Sequence, residues 1–192
     1  MGVSKYKESA EGVVYHLYNR GNRKQAIFEQ DSDYRFYLAM LQRYCRESGF
    51  SVIAYCLMPN HVHLLVRQNR SIGPSKLMAR LHTTYAMYFN DEYKKVGHLF
   101  QGRYKQKIVS DNDYLLRLVS YFHLNPVKDH IVQSVGEYRW SSFGWHQQSS
   151  INQQRGICDY ETVKQLGLRA LTSSETKKLA SQLNPFEVFE YT

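Results

Sequence analysis

The sequence predicts an α+β fold in which helices pack on a ferredoxin-like antiparallel sheet. Three observations lead to this prediction: apolar runs typical of strands, longer segments with helical periodicity between them, and a tight break that joins two of the runs as a hairpin. Together they give the element order β-α-β-β-α-β-α. Because one fold of this kind can serve many activities, the order alone indicates no function.

The first strand and the first helix are predicted within the first 49 residues. Val13–Arg20 is rich in β-branched and aromatic residues and precedes a glycine-asparagine pair, so we expect a strand and then a loop. Apolar residues then recur at helical spacing from Tyr34 to Cys45, after an acidic segment suited to a helix N-terminus. We expect this helix to end at Gly49.

A β-hairpin is predicted directly after that helix. Phe50–Met58 is almost continuously apolar, which is typical of a central strand covered on both faces. Pro59 and Asn60 interrupt the apolar run, and His61–Val66 is the expected returning strand. The short interruption favours a tight turn between the two strands.

The second half of the core repeats a helix, a strand and a helix. Pro74 is suited to open a helix, which fades near Lys94. Leu99–Val109 has strand character with basic residues at alternate positions. Asp111–Asn125 is predicted to be a helix that Pro126 stops.

The periodic pattern weakens towards the end of the chain. We therefore divide the chain into a main domain over residues 1–146 and an appendage over residues 147–192. Gln147–Gln154 has the composition of a polar linker, and Tyr160–Leu166 and Ser174–Leu183 are predicted as short helices. The appendage is not expected to form a second domain.

The composition favours a folded protein that binds a polyanion. The 192 residues include 25 Lys and Arg against 17 Asp and Glu, for a net charge of +8, and 43% are apolar, which excludes a disordered tail. Such a charge most often indicates nucleic acid, although ribosome-associated and acidic-lipid-binding proteins share it. The sequence has no run of about 18 apolar residues, and its three cysteines lack the spacing of a zinc site or a disulfide framework. We therefore expect a cytoplasmic protein with no membrane partner.

Two histidines on the second hairpin strand are candidate metal ligands. Because side chains alternate along a strand, His61 and His63 emerge on the same face, while Val62 between them faces the other way. Two imidazoles at this spacing can hold one metal ion. The pattern is weak by itself, since a pair of hydrogen-bonded histidines in a half-buried strand explains it equally well.

A tyrosine and an asparagine on the last core helix are the next candidates. Tyr121 and Asn125 are four residues apart, so a phenol and an amide oxygen share one helix face. A tyrosine with its ordinary pKa of about 10 needs a nearby cation or base to act as a nucleophile. The alternatives are that Tyr121 is one of 16 tyrosines, most of which pack, and that Asn125 simply precedes Pro126 at the helix end.

Two strings carry a resemblance to a known family: YCLMPNHVHLLV at residues 55–66 and YFHLNPV at residues 121–127. They resemble the single-tyrosine HUH transposase superfamily, and most of all the REP-associated tyrosine transposases. Further similarity lies at residues 15–21, 97–104 and 138–142, so that the resemblance covers about residues 12–145. No motif after about Ser149 can be aligned with the family.

The resemblance implies metal-dependent cleavage and joining of single-stranded or hairpin DNA through a covalent 5′-phosphotyrosine intermediate. It implies that Tyr121 is the nucleophile and that His61, His63 and Asn125 bind a divalent cation, Mg²⁺ or Mn²⁺. The insertion-sequence branch of the family tends to carry glutamine at the position of Asn125. The sequence leaves open whether the protein is a monomer or a homodimer.

Two other function classes compete with this hypothesis. One is a domesticated, non-catalytic nucleic-acid-binding protein on the same fold; it would be free to lose any of the four site residues, and all four are present. The other is an RNA-binding ferredoxin-like domain, which would carry aromatic residues where His61 and His63 stand.

Several polar residues are candidates for DNA contacts. Basic side chains at regular spacing could line a phosphate track, and polar residues at the end of the first strand could read a base edge. The candidates are Asn19, Arg20, Lys76, Arg80, Arg103, Lys105 and Lys107. A solvated basic face is an equally good interpretation of most of them. His16 on the first strand is either a support for the metal site or a packed histidine.

Overall fold

A computed structural model of the protein describes residues 11–147, 156–167 and 171–183. Its strands are β1 (Val14–Arg20), β2 (Phe50–Met58), β3 (His61–Gln68) and β4 (Lys105–Val109). The long helices are α1 (Asp31–Ser48), α2 (Pro74–Glu92) and α3 (Asn112–Lys128). The short helices that follow are α4 (Phe143–His146), α5 (Tyr160–Gln165) and α6 (Ser173–Ser181). The predicted element order is therefore confirmed.

The four strands form one sheet in the order β2-β3-β1-β4, and every neighbouring pair is antiparallel. This is the ferredoxin-like arrangement that the sequence predicts. In the register of β1 and β3, Tyr18 lies opposite His63 and Arg20 lies opposite His61. Residues opposite each other in a ladder share a face, so β1 and β3 present these four side chains on one side of the sheet.

Helices cover both faces of the sheet. On one face, Asn19 of β1 contacts His82 of α2, and the Tyr37 hydroxyl of α1 also contacts His82. On the other face, the ring of Phe122 in α3 lies 5.0 Å from the rings of both His16 and His63. We call the first the α1/α2 face and the second the α3 face.

Both ends of α1 follow from local sequence. At the start, Gln30 and Asp33 form a capping box, which satisfies backbone N–H groups that have no partner within the helix. At the end, Gly49 has a φ of 72°, a left-handed conformation that costs glycine little and most other residues more. The predicted end at Gly49 is confirmed.

The position of β2 corrects one prediction. Every residue of β2 is buried, as the apolar run indicates, but β2 is the outer strand of the sheet and not a central one. Later parts of the chain cover its edge: the Leu57 amide donates to the Trp140 carbonyl, and the Asp159 amide donates to the Val52 carbonyl. The sequence pattern reports burial, and a covered edge strand is as buried as a central one.

Two further boundaries differ from the predictions. The β4 strand has only five residues, because residues 99–104 form a loop in which Gly102 has a φ of 69°. Pro126 does not stop α3, which continues to Lys128. Proline removes only its own N–H from the helix, and the Asp129 amide still donates to the Asn125 carbonyl at 2.9 Å.

The described parts of the predicted appendage pack on the sheet and on α3. The Ser51 hydroxyl donates to the Asp159 carboxylate at 3.0 Å, and α6 lies against α3. The predicted helices correspond to α5 and α6, whereas most of the predicted linker, residues 148–154, lies outside the described residues. Among the described residues, no helix is both long and apolar enough to cross a membrane.

Candidate metal and nucleophile site

The alternation of side chains along β3 brings two histidines together at the start of this strand. The rings of His61 and His63 are 5.1 Å apart between centroids and nearly perpendicular. The Nδ1 atom of His61 lies 2.6 Å from the Asn60 side-chain oxygen. This contact orients the ring and directs its Nε2 atom to any ligand, an arrangement common among metal-binding histidines.

A third histidine supports the pair from β1. The Nε2 atom of His16 lies 3.0 Å from the Nδ1 atom of His63, and both side chains are fully buried. The His16 ring is held between Tyr18, 4.7 Å away, and Phe122, 5.0 Å away. His63 therefore has its Nδ1 atom engaged, as His61 does, and its orientation depends on a neighbour that is itself fixed by packing.

Helix α3 carries Tyr121 over the same face of the sheet. The Tyr121 ring is 6.4 Å from the His63 ring and perpendicular to it, and only 5% of the Tyr121 side chain is exposed. Burial raises the pKa of its phenol, and the nearby Asp129 raises it further. Tyr121 is thus a neutral phenol at pH 7, and it needs additional positive charge to act as a phenolate.

Asn125 follows Tyr121 after one turn of α3 and is also buried, with 5% exposed. Its amide nitrogen has no hydrogen-bond partner among the described residues. A buried polar group without a partner costs about 1–3 kcal/mol. The unpaired group is the amide N–H, a hydrogen-bond donor that does not bind a cation; the candidate metal ligand on the same side chain is the amide oxygen, a donor type that Mg²⁺ and Mn²⁺ accept.

The electrostatics of the site favour neutral imidazoles. Burial lowers the pKa of His61 to about 4, and Arg20 contributes to the decrease. Burial also lowers the pKa of His63, with smaller effects from His61 and His16. The neutral imidazole is the form that binds a metal ion.

Within the described part of the chain, no three His, Cys, Asp or Glu side chains converge on a metal position. The candidate ligands His61, His63 and Asn125 are not such a cluster, because only two of them are histidines and the third is an amide. Two neutral imidazoles and one amide oxygen make a weak, uncharged ligand set. Such a set suits a cation whose remaining positions are filled by water or by phosphate oxygens.

Three of the predicted DNA-binding residues lie on the α3 face. Arg20 is opposite His61 in the strand register, and its Nε donates to the Gln101 side chain. Lys105 and Lys107 on β4 pair with Tyr18 and His16 of β1, so they lie on the same face. A row of positive charge therefore runs along β4 and the end of β1 beside the histidines.

The other four predicted DNA-binding residues do not join that row. Arg103 lies in the loop before β4 and not on the strand. Asn19 is buried on the α1/α2 face, where it contacts His82. Lys76 and Arg80 are exposed on α2, and Arg80 forms an ion pair with Glu47 at 2.8 Å. Alternation along β1 places Asn19 and Arg20 on opposite faces, but the sequence alone does not show which helices cover each face.

Sequence comparison identifies the family of the chain. Residues 9–125, more than half of the chain, match the family described as Transposase IS200 like. The chain belongs to this IS200-like transposase family. The matched segment extends from the residues just before β1 to Asn125 on α3, so it includes His61, His63 and Tyr121.

Two known proteins resemble this IS200-like transposase. A curated Haemophilus influenzae protein, named as a REP-associated tyrosine transposase, is 26% identical over 110 residues, or 52% of this chain. The match spans 62% of the length of that relative. A solved structure of a REP-associated tyrosine transposase bound to a REP hairpin superposes with a TM-score of 0.61 at 18% identity, covering 83% of this chain and 90% of the other. This superposition shows that the two proteins share a fold.

One residue of the site is absent from the sequence-based predictions. The Nζ atom of Lys128 lies 4.6 Å from the centre of the Tyr121 ring. Burial lowers the pKa of Lys128. A lysine seven residues after the tyrosine is two helical turns away on the same face, and this spacing is the signal that could have identified it. In this IS200-like transposase, Lys128 brings positive charge directly to the candidate nucleophile.

Proposed function

We propose that the protein cleaves and rejoins single-stranded or hairpin DNA, and that Tyr121 forms a covalent 5′-phosphotyrosine intermediate. One observation supports this most: the His61–His63 pair and the Tyr121 ring face each other across the space between the sheet and α3. Membership of the IS200-like transposase family agrees with a role in DNA processing. A metal-ligand pair beside a tyrosine is an arrangement suited to phosphoryl transfer.

His61, His63 and Asn125 would hold a divalent cation, Mg²⁺ or Mn²⁺. The residues fit such an ion, because both imidazoles are neutral with Nδ1 engaged and Asn125 is a buried side chain that carries an amide oxygen. When bound, the cation would polarise the scissile phosphate and neutralise charge on its oxygens. His16 would keep His63 oriented towards the ion through the 3.0 Å contact between the two rings.

In the proposed reaction, the Tyr121 oxygen attacks phosphorus as the bond to the 3′ oxygen breaks. The phenol gives up its proton to solvent, and the departing 3′ oxygen takes one up. Lys128 beside the ring favours the phenolate that develops. The phosphotyrosine bond retains the energy of the phosphodiester, so a second 3′-hydroxyl can attack it and join two strands without a nucleotide cofactor.

The proposed DNA partner follows from the shape and charge of the site. Tyr121 lies between the sheet and α3, where a second paired strand would obstruct the in-line approach to phosphorus. Arg20, Lys105 and Lys107 offer phosphate contacts along the same face. The related structure with a REP hairpin supports a hairpin as the first substrate to try.

The deciding experiment uses hairpin oligonucleotides labelled at the 5′ or the 3′ end, incubated with the protein and Mn²⁺. Tyr121 becomes attached to the 5′ phosphate of the fragment on the 3′ side of the cleaved bond. The 3′ label should therefore migrate with the protein on a denaturing gel, and the 5′ label should not. Tyr121→Phe should abolish the adduct and leave binding near the original level. Tyr114→Phe, on the same helix, is the matched control. An adduct that persists in Tyr121→Phe would overturn the assignment.

The burial of Tyr121 favours a second candidate function. With 5% of its side chain exposed and the pKa of its phenol raised, Tyr121 is poorly accessible as a nucleophile in this conformation. A non-catalytic nucleic-acid-binding protein on the same fold is consistent with this observation. Tight hairpin binding without an adduct, in both Mg²⁺ and Mn²⁺, would favour the second candidate.

A further inference from the structure

A cavity of about 690 Å³ lies between α2 and the loop of residues 97–104. It is on the α1/α2 side of the sheet, away from Tyr121. One wall is aromatic: the rings of His82 and Phe100 stack with centroids 4.0 Å apart and 16° between their planes. Helix α2 contributes His82 to this lining together with the small side chains Ala79 and Ala86, which leave the space open.

The charge around this cavity is suited to an anionic ligand. Its lining includes Arg103, an exposed residue, and contains no aspartate or glutamate. A second cavity of about 690 Å³ lies near the end of α1 and serves as a comparison, because its lining offsets Arg46 and Arg70 with the carboxylates Asp159 and Glu161. Of the two cavities, the one beside α2 therefore combines an aromatic wall with positive charge.

The cavity beside α2 is connected to the proposed active site by short contacts. Gln101 lines the cavity, its amide donates to the Arg20 carbonyl at 2.9 Å, and its side chain accepts from the Arg20 guanidinium. Arg20 in turn lies opposite His61 in the sheet. Arg20 therefore links the edge of the cavity, through Gln101, to the strand position opposite His61.

We propose that this cavity binds one unstacked base of the single-stranded DNA that flanks the cleaved phosphate. This inference depends on the proposed function. A base is flat and apolar on its face and polar on its edge, and the cavity offers the His82–Phe100 wall together with the polar side chains of Asn22 and Gln101. The His82 ring stays neutral at pH 7, since burial lowers its pKa to about 3. Arg103 is available for the adjoining phosphate.

The test measures binding without cleavage. Tyr121→Phe protein in EDTA is titrated with a fluorescent hairpin that has a short single-stranded flank, and each flank nucleotide is replaced in turn by an abasic one. Removal of the base that occupies the cavity should weaken binding about tenfold, whereas other positions should change little. The same series is then measured with Ala79→Leu/Ala86→Leu, which fills the cavity.

In the filled variant, the hairpin with all its bases should bind about tenfold more weakly, and the abasic penalty at that one position should disappear. Met87→Leu is the matched control, because Met87 is on the same helix, is 67% exposed and does not line the cavity. If the double variant melts early, Thr83→Leu at an exposed position of the same lining provides the same test.

Two negative results have different meanings. If the filled variant retains the full abasic penalty, or if no flank position shows one, the cavity does not bind a base and only this inference is overturned. If the protein binds neither hairpin nor single-stranded DNA, the proposed function fails and the inference fails with it.

Discussion

The two faces of the sheet differ in what their buried side chains can do. On the α1/α2 face, Leu17, Val62 and Leu64 are fully buried apolar residues beneath two long helices. On the α3 face, the corresponding central positions of β1 and β3 are His16 and His63, which are equally buried. Burial of imidazoles costs free energy that leucine or valine would not cost. The contrast indicates that these central positions contribute mainly stability on the α1/α2 face, whereas on the α3 face they carry imidazoles at a cost in stability.

The largest effect is expected from His61→Ala on the α3 face. Loss of one of two imidazoles leaves a single histidine and a neutral amide, which is too weak a ligand set to retain the cation. Covalent adduct formation in Mn²⁺ should fall below detection, while hairpin affinity in EDTA stays within about twofold because phosphate contacts do not use the ion. Equal adduct formation by the variant and the original protein would show that His61 is not a ligand.

Leu64→Ala, three residues further along the same strand but on the other face, should have the opposite profile. Leu64 is fully buried, and truncation of such a leucine destabilises a protein by about 2–5 kcal/mol. Urea denaturation should show this loss, and adduct formation by the folded fraction should remain unchanged. A Leu64→Ala protein with full stability but impaired cleavage would contradict the division between the two faces.

His16→Ala should separate support of the metal site from ligation. His16 contacts His63 and is itself not expected to touch the ion, so Mn²⁺ should bind about 10–100-fold more weakly without being lost. Binding is followed directly by calorimetry or by the EPR signal of free Mn²⁺. His16→Gln keeps a polar group near His63 and should recover part of the affinity. A metal affinity unchanged in His16→Ala would mean that His16 is merely packed.

A smaller effect is expected at His146, a buried histidine of α4 whose ring lies 5.4 Å from the ring of His123 on α3. His146 is 5% exposed, and burial lowers its pKa to about 4 even though its Nε2 lies 3.1 Å from the Ile53 carbonyl. In the unfolded chain His146 takes up a proton below about pH 6.5, whereas in the folded protein it does so only below about pH 4. The free energy of unfolding is therefore unaffected by this group above pH 6.5 and decreases as the pH falls from 6.5 towards 4.

Between pH 6.5 and 5 this histidine should account for about 1.5 kcal/mol of lost stability. His146→Gln should remove that part of the pH dependence from urea denaturation and leave adduct formation unchanged. His98→Gln, at an exposed side chain, is the control. If His146→Gln leaves the pH dependence of stability unaltered, His146 does not contribute to it.

Much of this arrangement follows from local sequence. Alternation along β3 predicts that His61 and His63 share a face, and helical spacing predicts the same for Tyr121 and Asn125. The predicted ferredoxin-like order places β1 beside β3, but their register could not be derived in the same way, because the pairing of Tyr18 with His63 joins residues 45 positions apart in sequence. The sequence therefore does not show that His16 contacts His63, which the 3.0 Å distance between their ring nitrogens does.

The differences from prediction have a common physical origin. An apolar run such as Phe50–Met58 reports how completely a strand is covered, but not which part of the chain covers it. Asn19 and Arg20 give a second example. As neighbours on a strand they point to opposite faces of the sheet, but the sequence does not show which of the two faces the long helices bury. Tertiary contacts supply that information.

The two outer strands of the sheet bear on how the protein behaves when it is concentrated. An exposed strand edge is a template on which further chains can add and grow into filaments. Here the backbone groups of β2 are engaged by Trp140, Ser142 and Asp159 of the same chain, and β4 is five residues long and carries Lys105 and Lys107. Another chain cannot add to β2, because the backbone groups at this edge are already hydrogen-bonded within the chain. Addition to β4 is opposed by repulsion between the lysines of the two chains. Both edges of the sheet are therefore protected against the growth of filaments.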